Sequence, residues 1–147
     1  MIKIYTDGAC KGNPGIGGWG ALLVYNEQSI EIFDGELETT NNRMELKAVI
    51  EALNRATSMN DDVQIYTDSS YVQRGIQEWI HNWKKNGWRS SNKKPVKNQD
   101  LWQMLDTLNS SLKVDWFWVK GHAGHPGNER ADFLANEGVK KIQQGIL

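Results

Sequence analysis

The feature that most constrains this fold is a change of period at Asn41. Before it, residues 2–6, 19–25 and 29–35 read as strands, and a short polar turn at Asn26–Gln28 joins the last two. Three sequential strands with short connections predict an antiparallel meander. After it, Leu46, Val49, Ile50 and Leu53 recur at helical spacing, with Thr40 or Asn41 as N-cap. Residues 63–67 then read as strand again. A helix between two strands implies a crossover, so this strand runs parallel to one of the first three.

A helical stripe follows (Tyr71, Val72, Gly75, Ile76, Trp79, Ile80), then a helix with Leu101, Met104, Leu105 and Leu108 on one face. Residues 114–119 read as a last strand. A Gly/His/Pro loop at 121–127 leads to a helix over about 128–139. The expected fold class is α/β: a five-stranded mixed sheet, meander plus parallel strands, flanked by helices. With 147 residues and no linker or low-complexity tract, the chain reads as one domain.

Net charge is only −1, so no global field marks a polyanion binder. The distribution is more informative. From Trp79 to Gln99 there is no acidic residue, while Lys84, Lys85, Arg89, Lys93, Lys94 and Lys97 fall there. Such a block either attracts a polyanion to one surface or is a solvated loop. Cys10 is the sole cysteine, which excludes an intramolecular disulfide and a cysteine metal cluster. The opening Met-Ile-Lys-Ile-Tyr-Thr-Asp lacks an apolar signal core, and no run reaches bilayer length. A reducing, cytoplasmic setting and no membrane partner are expected.

Ile4-Tyr5-Thr6-Asp7 and Ile65-Tyr66-Thr67-Asp68 are the same tetrapeptide, each at a predicted strand end. Each strand thus delivers an Asp at its carboxyl end, where α/β sheets place ligands. If the strands are neighbours, the carboxylates lie side by side, which is unfavourable unless a cation or a proton intervenes. Singly, each Asp is explained as a turn or helix cap. Glu45 and Asp132, each early in a helix, are singly explained by the macrodipole. Spacing alone does not bring the four together. Gly15-Ile-Gly17-Gly-Trp-Gly20 satisfies G-x-G-x-x-G, but a dinucleotide fingerprint opens a helix after a strand, and here strand follows. A turn or bulge is the better reading.

The segments YTDGACKGNPG (5–15), TTNNRMEL (39–46), YTDSSYV (66–72), WIHNWKKNGW (79–88) and WVKGHAGHPGNERAD (118–132) resemble bacterial type I ribonuclease H over nearly the whole chain. The resemblance implies a ribonuclease H-like fold. It also implies hydrolysis of the RNA strand of RNA–DNA hybrids without strong sequence specificity, leaving 5′-phosphate and 3′-hydroxyl ends. Asp7, Glu45, Asp68 and Asp132 match the family's metal-binding carboxylates, and His122 its catalytic-loop histidine. Two magnesium ions are implied with substrate, with manganese able to substitute. Hard cations suit carboxylate oxygens and water, and a metal pair flanking the scissile phosphate needs no protein nucleophile. Glu129 matches a position close to the metals. His125 raises the question of zinc, but only His81 remains elsewhere and no cysteine cluster exists, so a structural zinc site is not expected.

Substrate contacts follow from the same resemblance. Asn13, Asn41 and Asn42 match residues at the minor groove, where an amide both donates and accepts. Thr40 matches a DNA-phosphate pocket. Ser70 and Glu38 depart from the family, standing where Gln and Arg are usual. The segment 79–97 resembles its basic protrusion, in which Trp83, Lys84 and Lys85, with Trp88, are expected to track the DNA backbone. Trp79 is assigned to the core as part of the helical stripe, and Trp19, Trp102, Trp116 and Trp118 to packing. The expected partner is an RNA–DNA hybrid, met by a monomer. The rival readings are a junction resolvase or transposase-like nuclease of the same fold, and a binding module that has lost activity.

Overall fold

The computed structural model of the chain describes residues 1–90, 92–120 and 124–145. Five strands, β1 (Ile2–Gly12), β2 (Gly15–Tyr25), β3 (Gln28–Thr39), β4 (Val63–Thr67) and β5 (Val114–Trp118), form one sheet in the order β3-β2-β1-β4-β5. The β1–β2 and β2–β3 pairs are antiparallel, whereas β1–β4 and β4–β5 are parallel. The meander and the crossover expected at Asn41 are both present.

The first two strands are longer than their residue types suggest. The glycine-rich stretch 8–18 is mostly strand, because β1 runs on to Gly12 and β2 begins at Gly15, with only Asn13 and Pro14 turning between them. Gly12 and Gly15 flank the Asn13–Pro14 turn, and the other glycines are there because helices press on the sheet. A Cβ at Gly18 would lie 2.2 Å from the Ala135 carbonyl oxygen, and one at Gly20 2.5 Å from Leu134 Cβ. The G-x-G-x-x-G pattern therefore marks a strand overlain by a helix, with the expected bulge present as a register shift between Gly15 and Gly17.

Helix α1 (Asn41–Ala56) is capped by Thr40, whose Oγ1 accepts the Arg43 N–H at 3.2 Å. Its Leu46, Val49, Ile50 and Leu53 are buried on Ile2, Ile4, Ala21 and Leu23 of the sheet. The stripe at 71–80 is a helical run of three parts: α2 (Ser70–Arg74), a π-helical turn (Gly75–Trp79) and α3 (Ile80–Lys85). Gly75 faces the Trp102 ring so closely that a Cβ there would fall 1.9 Å away. Helix α4 (Gln99–Ser111) carries Trp102, which is fully buried. Helix α5 (Pro126–Gly145) starts two residues earlier than expected, with proline in its first position, and covers β1, β2 and β3. Among the described residues no helix is long and apolar enough to cross a membrane.

The tryptophans divide differently from expectation. Trp83 and Trp88, expected on the nucleic-acid side, are half-buried against the core cluster, with Trp83 5.4 Å from the Trp102 ring. Trp79, expected in the core, is only half-buried and, with Trp83, Asn82, Asn86, Arg89 and Ser90, lines a cleft of about 460 Å³. The helical stripe faces inward through Val72, Gly75 and Ile80, and the π-helical turn leaves Trp79 at its margin. Trp19 and Trp102 are buried as assigned, and Trp116 and Trp118 stack on each other against the core.

Candidate active site

Strands β1 and β4 pair only as far as Tyr5 and Tyr66. Two residues beyond, in the same register, come Asp7 and Asp68, where β4 has ended and β1 continues with β2 alone. The sheet opens here at the carboxyl end of its central parallel pair, the crevice in which α/β sheets hold ligands. Glu45 enters from α1. One oxygen from each of Asp7, Glu45 and Asp68 lies within 4.8 Å of the others. Asp132, on α5, lines the same cleft of about 350 Å³, together with Asn41, Asn42, Ser70 and Tyr71. Four carboxylates from four separate parts of the chain therefore face one cavity.

Gly8 makes the approach of α1 possible. A Cβ there would sit 2.6 Å from the Glu45 nitrogen and 2.7 Å from the Met44 carbonyl carbon. The Gly8 N–H also donates to Asp7 Oδ1 at 2.9 Å. The motif reading passes over Gly8, although a glycine in a strand interior signals close backbone approach. It passes over Ser69 and Tyr71 too. Ser69 Oγ caps α2 by accepting the Val72 N–H at 3.2 Å, fixing the segment after Asp68. The Tyr71 hydroxyl accepts from Trp102 Nε1 (2.9 Å) and Asn98 Nδ2 (3.0 Å). Asn98 Oδ1 in turn accepts from Arg43 Nη1 at 3.2 Å, while Arg43 pairs with Asp100 at 2.8 Å. That network fastens the first turn of α1 to α4.

Asp7 and Glu45 are buried, at 4% and 6% exposure. Burial first, then the charges of Asp7 and Asp68, hold the Glu45 carboxyl well above the ordinary glutamate range. Among the described residues its Oε2 is buried without a hydrogen-bond partner. Carboxylate oxygens converging in one cleft suit a divalent cation such as magnesium, and these residues fit one.

The Glu45 shift has a consequence for stability. Between the unfolded value near 4.5 and the higher folded value, the folded chain binds more protons than the unfolded one. Stability of the metal-free protein must then fall as pH rises through that window. In a chelator, the melting temperature is expected to drop from pH 4.5 upward, and Glu45→Gln should flatten the dependence. An equally steep slope in the variant would contradict this.

Asn13 Oδ1 accepts the Asn41 N–H at 3.1 Å, joining the β1–β2 turn to the start of α1. Lys84 and Lys85 are exposed at the end of α3, and Lys84 pairs with Asp106 at 3.3 Å. They do not line the carboxylate cleft. Glu129 is exposed on the first turn of α5, and Glu38 is exposed on β3. His122 lies outside the described residues.

Residues 1–140 match the family model for RNase H. The chain is 66% identical over 139 residues to a Ribonuclease H of Janthinobacterium sp. (strain Marseille), covering 95% of this chain and 96% of the relative. A Ribonuclease H of Nitrosospira multiformis is 60% identical over 146 residues, covering 99% and 94%. Among solved structures, LC9-RNase H1, a type 1 RNase H with the type 2 active-site motif, superposes with a TM-score of 0.83 at 36% identity, covering 95% of this chain and 72% of that one. LC11-RNase H1, solved in complex with an RNA/DNA hybrid, has a TM-score of 0.75 at 25% identity, covering 97% and 99%.

Proposed function

The chain belongs to the ribonuclease H family, and from that membership we propose that it hydrolyses the RNA strand of RNA–DNA hybrids using two divalent cations held by Asp7, Glu45, Asp68 and Asp132. The observation that carries the reading is the convergence of Asp7, Glu45 and Asp68, from β1, α1 and the end of β4, in one cleft. The hybrid complex of LC11-RNase H1 supports the substrate.

Bound in this cleft, a pair of magnesium ions, or manganese in their place, supplies an activated water and charge neutralisation at the departing 3′ oxygen. The protein's part is positioning. Glu45 and Asp7 are already desolvated, a cation offsets the repulsion among the clustered carboxylates, and Asp132 completes the set from α5. Asn41 and Asn42 at the cleft rim offer amides to ribose hydroxyls and base edges. Asn13 Oδ1 accepts from Asn41, and its NH2 offers a donor to substrate. The Thr40 hydroxyl, already accepting from Arg43, retains a proton to give a phosphate. Ser70 offers a shorter polar contact at the cleft wall. His122, matched to the family's catalytic-loop histidine, serves proton transfer or product release, and Glu129 acts on the metals indirectly, through their ligands.

The ends of the RNA fragments test the chemistry. Water attack with a departing 3′ oxygen leaves 5′-phosphate and 3′-hydroxyl ends, which mass spectrometry of the products should find. A 2′,3′-cyclic phosphate would show attack by the ribose hydroxyl instead and would overturn the reading.

Lys84 and Lys85 set affinity rather than chemistry, lying away from the carboxylates. Neutralising both to Gln should flatten the plot of log affinity against log salt by about 1 for each phosphate no longer neutralised, leaving kcat near its original value. An unchanged slope would remove them from the interface.

A further inference from the structure

Two residues before each strand-borne carboxylate stands a tyrosine. Tyr5 and Tyr66 are register partners on β1 and β4, and their rings stack at 5.0 Å. Side chains two apart on a strand share a face, so each tyrosine is the next rung down from its Asp. His125, immediately before α5, seats its ring against both, 5.5 Å from Tyr5 and 5.8 Å from Tyr66. Gly127 closes on the same ring: a Cβ there would lie 2.3 Å from Tyr5 Cδ1. The His125 carbonyl accepts the Glu129 N–H at 3.0 Å, which makes His125 part of the first turn of α5. Asp132 follows about two turns after His125 on the same helix.

We propose that the ring cluster of Tyr5, Tyr66 and His125 positions Asp132 against Asp7 and Asp68. The inference rests on the reading of those carboxylates as metal ligands. The strand pair that fixes Asp7 beside Asp68 also presents two stacked rings. The residue that begins the helix of Asp132 docks on those rings. One rigid cluster therefore sets the start of α5 relative to both strand ends, and Gly127 is required because Tyr5 leaves no space for a side chain. Among the described residues His125 Nδ1 is buried without a hydrogen-bond partner. In this arrangement the ring supplies shape, and its Nδ1 supplies nothing that phenylalanine would lose. His125 is thus a positioning residue.

The test compares His125→Ala, His125→Phe, Gly127→Ala and, as reference, Asp132→Asn. Three readouts apply: hydrogen exchange of the Glu129 amide, calorimetric binding of Mn2+ to the substrate-free protein, and KM for the hybrid. His125→Ala and Gly127→Ala should speed exchange at Glu129 at least about tenfold and weaken Mn2+ binding about tenfold, the scale typical of groups that orient metal ligands, with KM unchanged. His125→Phe should restore both properties. The proposal is overturned if Asp132→Asn weakens Mn2+ binding while His125→Ala and Gly127→Ala do not. It is equally overturned if His125→Phe behaves as His125→Ala, since a ring nitrogen would then be the active feature. Mn2+ binding unaffected by Asp132→Asn would instead remove the carboxylate reading beneath it, and the clamp with it.

Discussion

Replacing Asp7 by Asn is expected to lower hybrid cleavage by at least about 10³-fold while leaving the fold intact. A metal held at the scissile phosphate contributes several kcal/mol to the transition state, and at about 1.36 kcal/mol per tenfold in rate, about 4 kcal/mol corresponds to 10³. Asp7 is the carboxylate best placed to control that contribution. It is buried, borne on a strand paired on both sides, and within 4.8 Å of Glu45 and Asp68 through its nearest oxygen. Asn is nearly isosteric but carries no charge. Removing one of several clustered like charges relieves repulsion, so the metal-free variant should melt no lower than the parent. The parent should gain stability as magnesium is added, in proportion to the logarithm of its concentration once the site saturates, and the variant should lose most of that gain. Scanning calorimetry with and without magnesium, beside single-turnover cleavage, separates these effects. Full activity in Asp7→Asn would remove the residue from the site.

Gly8→Ala is expected to damage both stability and activity, although glycine to alanine usually favours folding where the backbone permits it. The added Cβ meets backbone on α1, 2.6 Å from the Glu45 nitrogen and 2.7 Å from the Met44 carbonyl carbon. Neither atom belongs to a flexible side chain, so the helix must shift. Overpacking of this kind costs about 1–3 kcal/mol. The displaced segment carries Glu45, and an error of about 1 Å in a reacting geometry costs about 10²-fold. Stability to urea and kcat should therefore fall together. Gly145→Ala at the end of α5, where an added Cβ meets nothing within 4 Å, serves as the neutral comparison. Activity within about twofold of the parent in Gly8→Ala, far short of that hundredfold scale, would show that α1 is not held where the glycine places it.

These two residues also mark how far local pattern reaches. The period change at Asn41 locates the start of α1, and β4 spans 63–67 as expected, because both have apolar patterns bounded by caps and turns. The echo of Ile-Tyr-Thr-Asp places Asp7 and Asp68 in the same register, since a parallel pair translates equal spacing into adjacency. Glu45 and Asp132 are legible only through family resemblance. Their entry into the cleft depends on how two helices lie against the sheet, which local pattern does not encode. The stretch 8–18 misleads for a related reason: Gly8, Gly17 and Gly18 serve contacts with α1 and α5, far away in the chain, yet they look like the turn residues that Gly12 and Gly15 are. Trp83 shows the same limit. Interleaving with lysines suggests a surface ring, and the packing of one side of it on Trp102 from the next helix is not visible in the local pattern.

The most direct measurement of the central claim is cleavage of one labelled RNA strand, paired with DNA or with RNA, in magnesium and in chelator, beside the same sequence as duplex DNA. Internal cuts are predicted in the RNA of the hybrid only, and only when magnesium is present. Equal cleavage in chelator, or cutting of duplex DNA at a comparable rate, would contradict a metal-dependent hybrid nuclease.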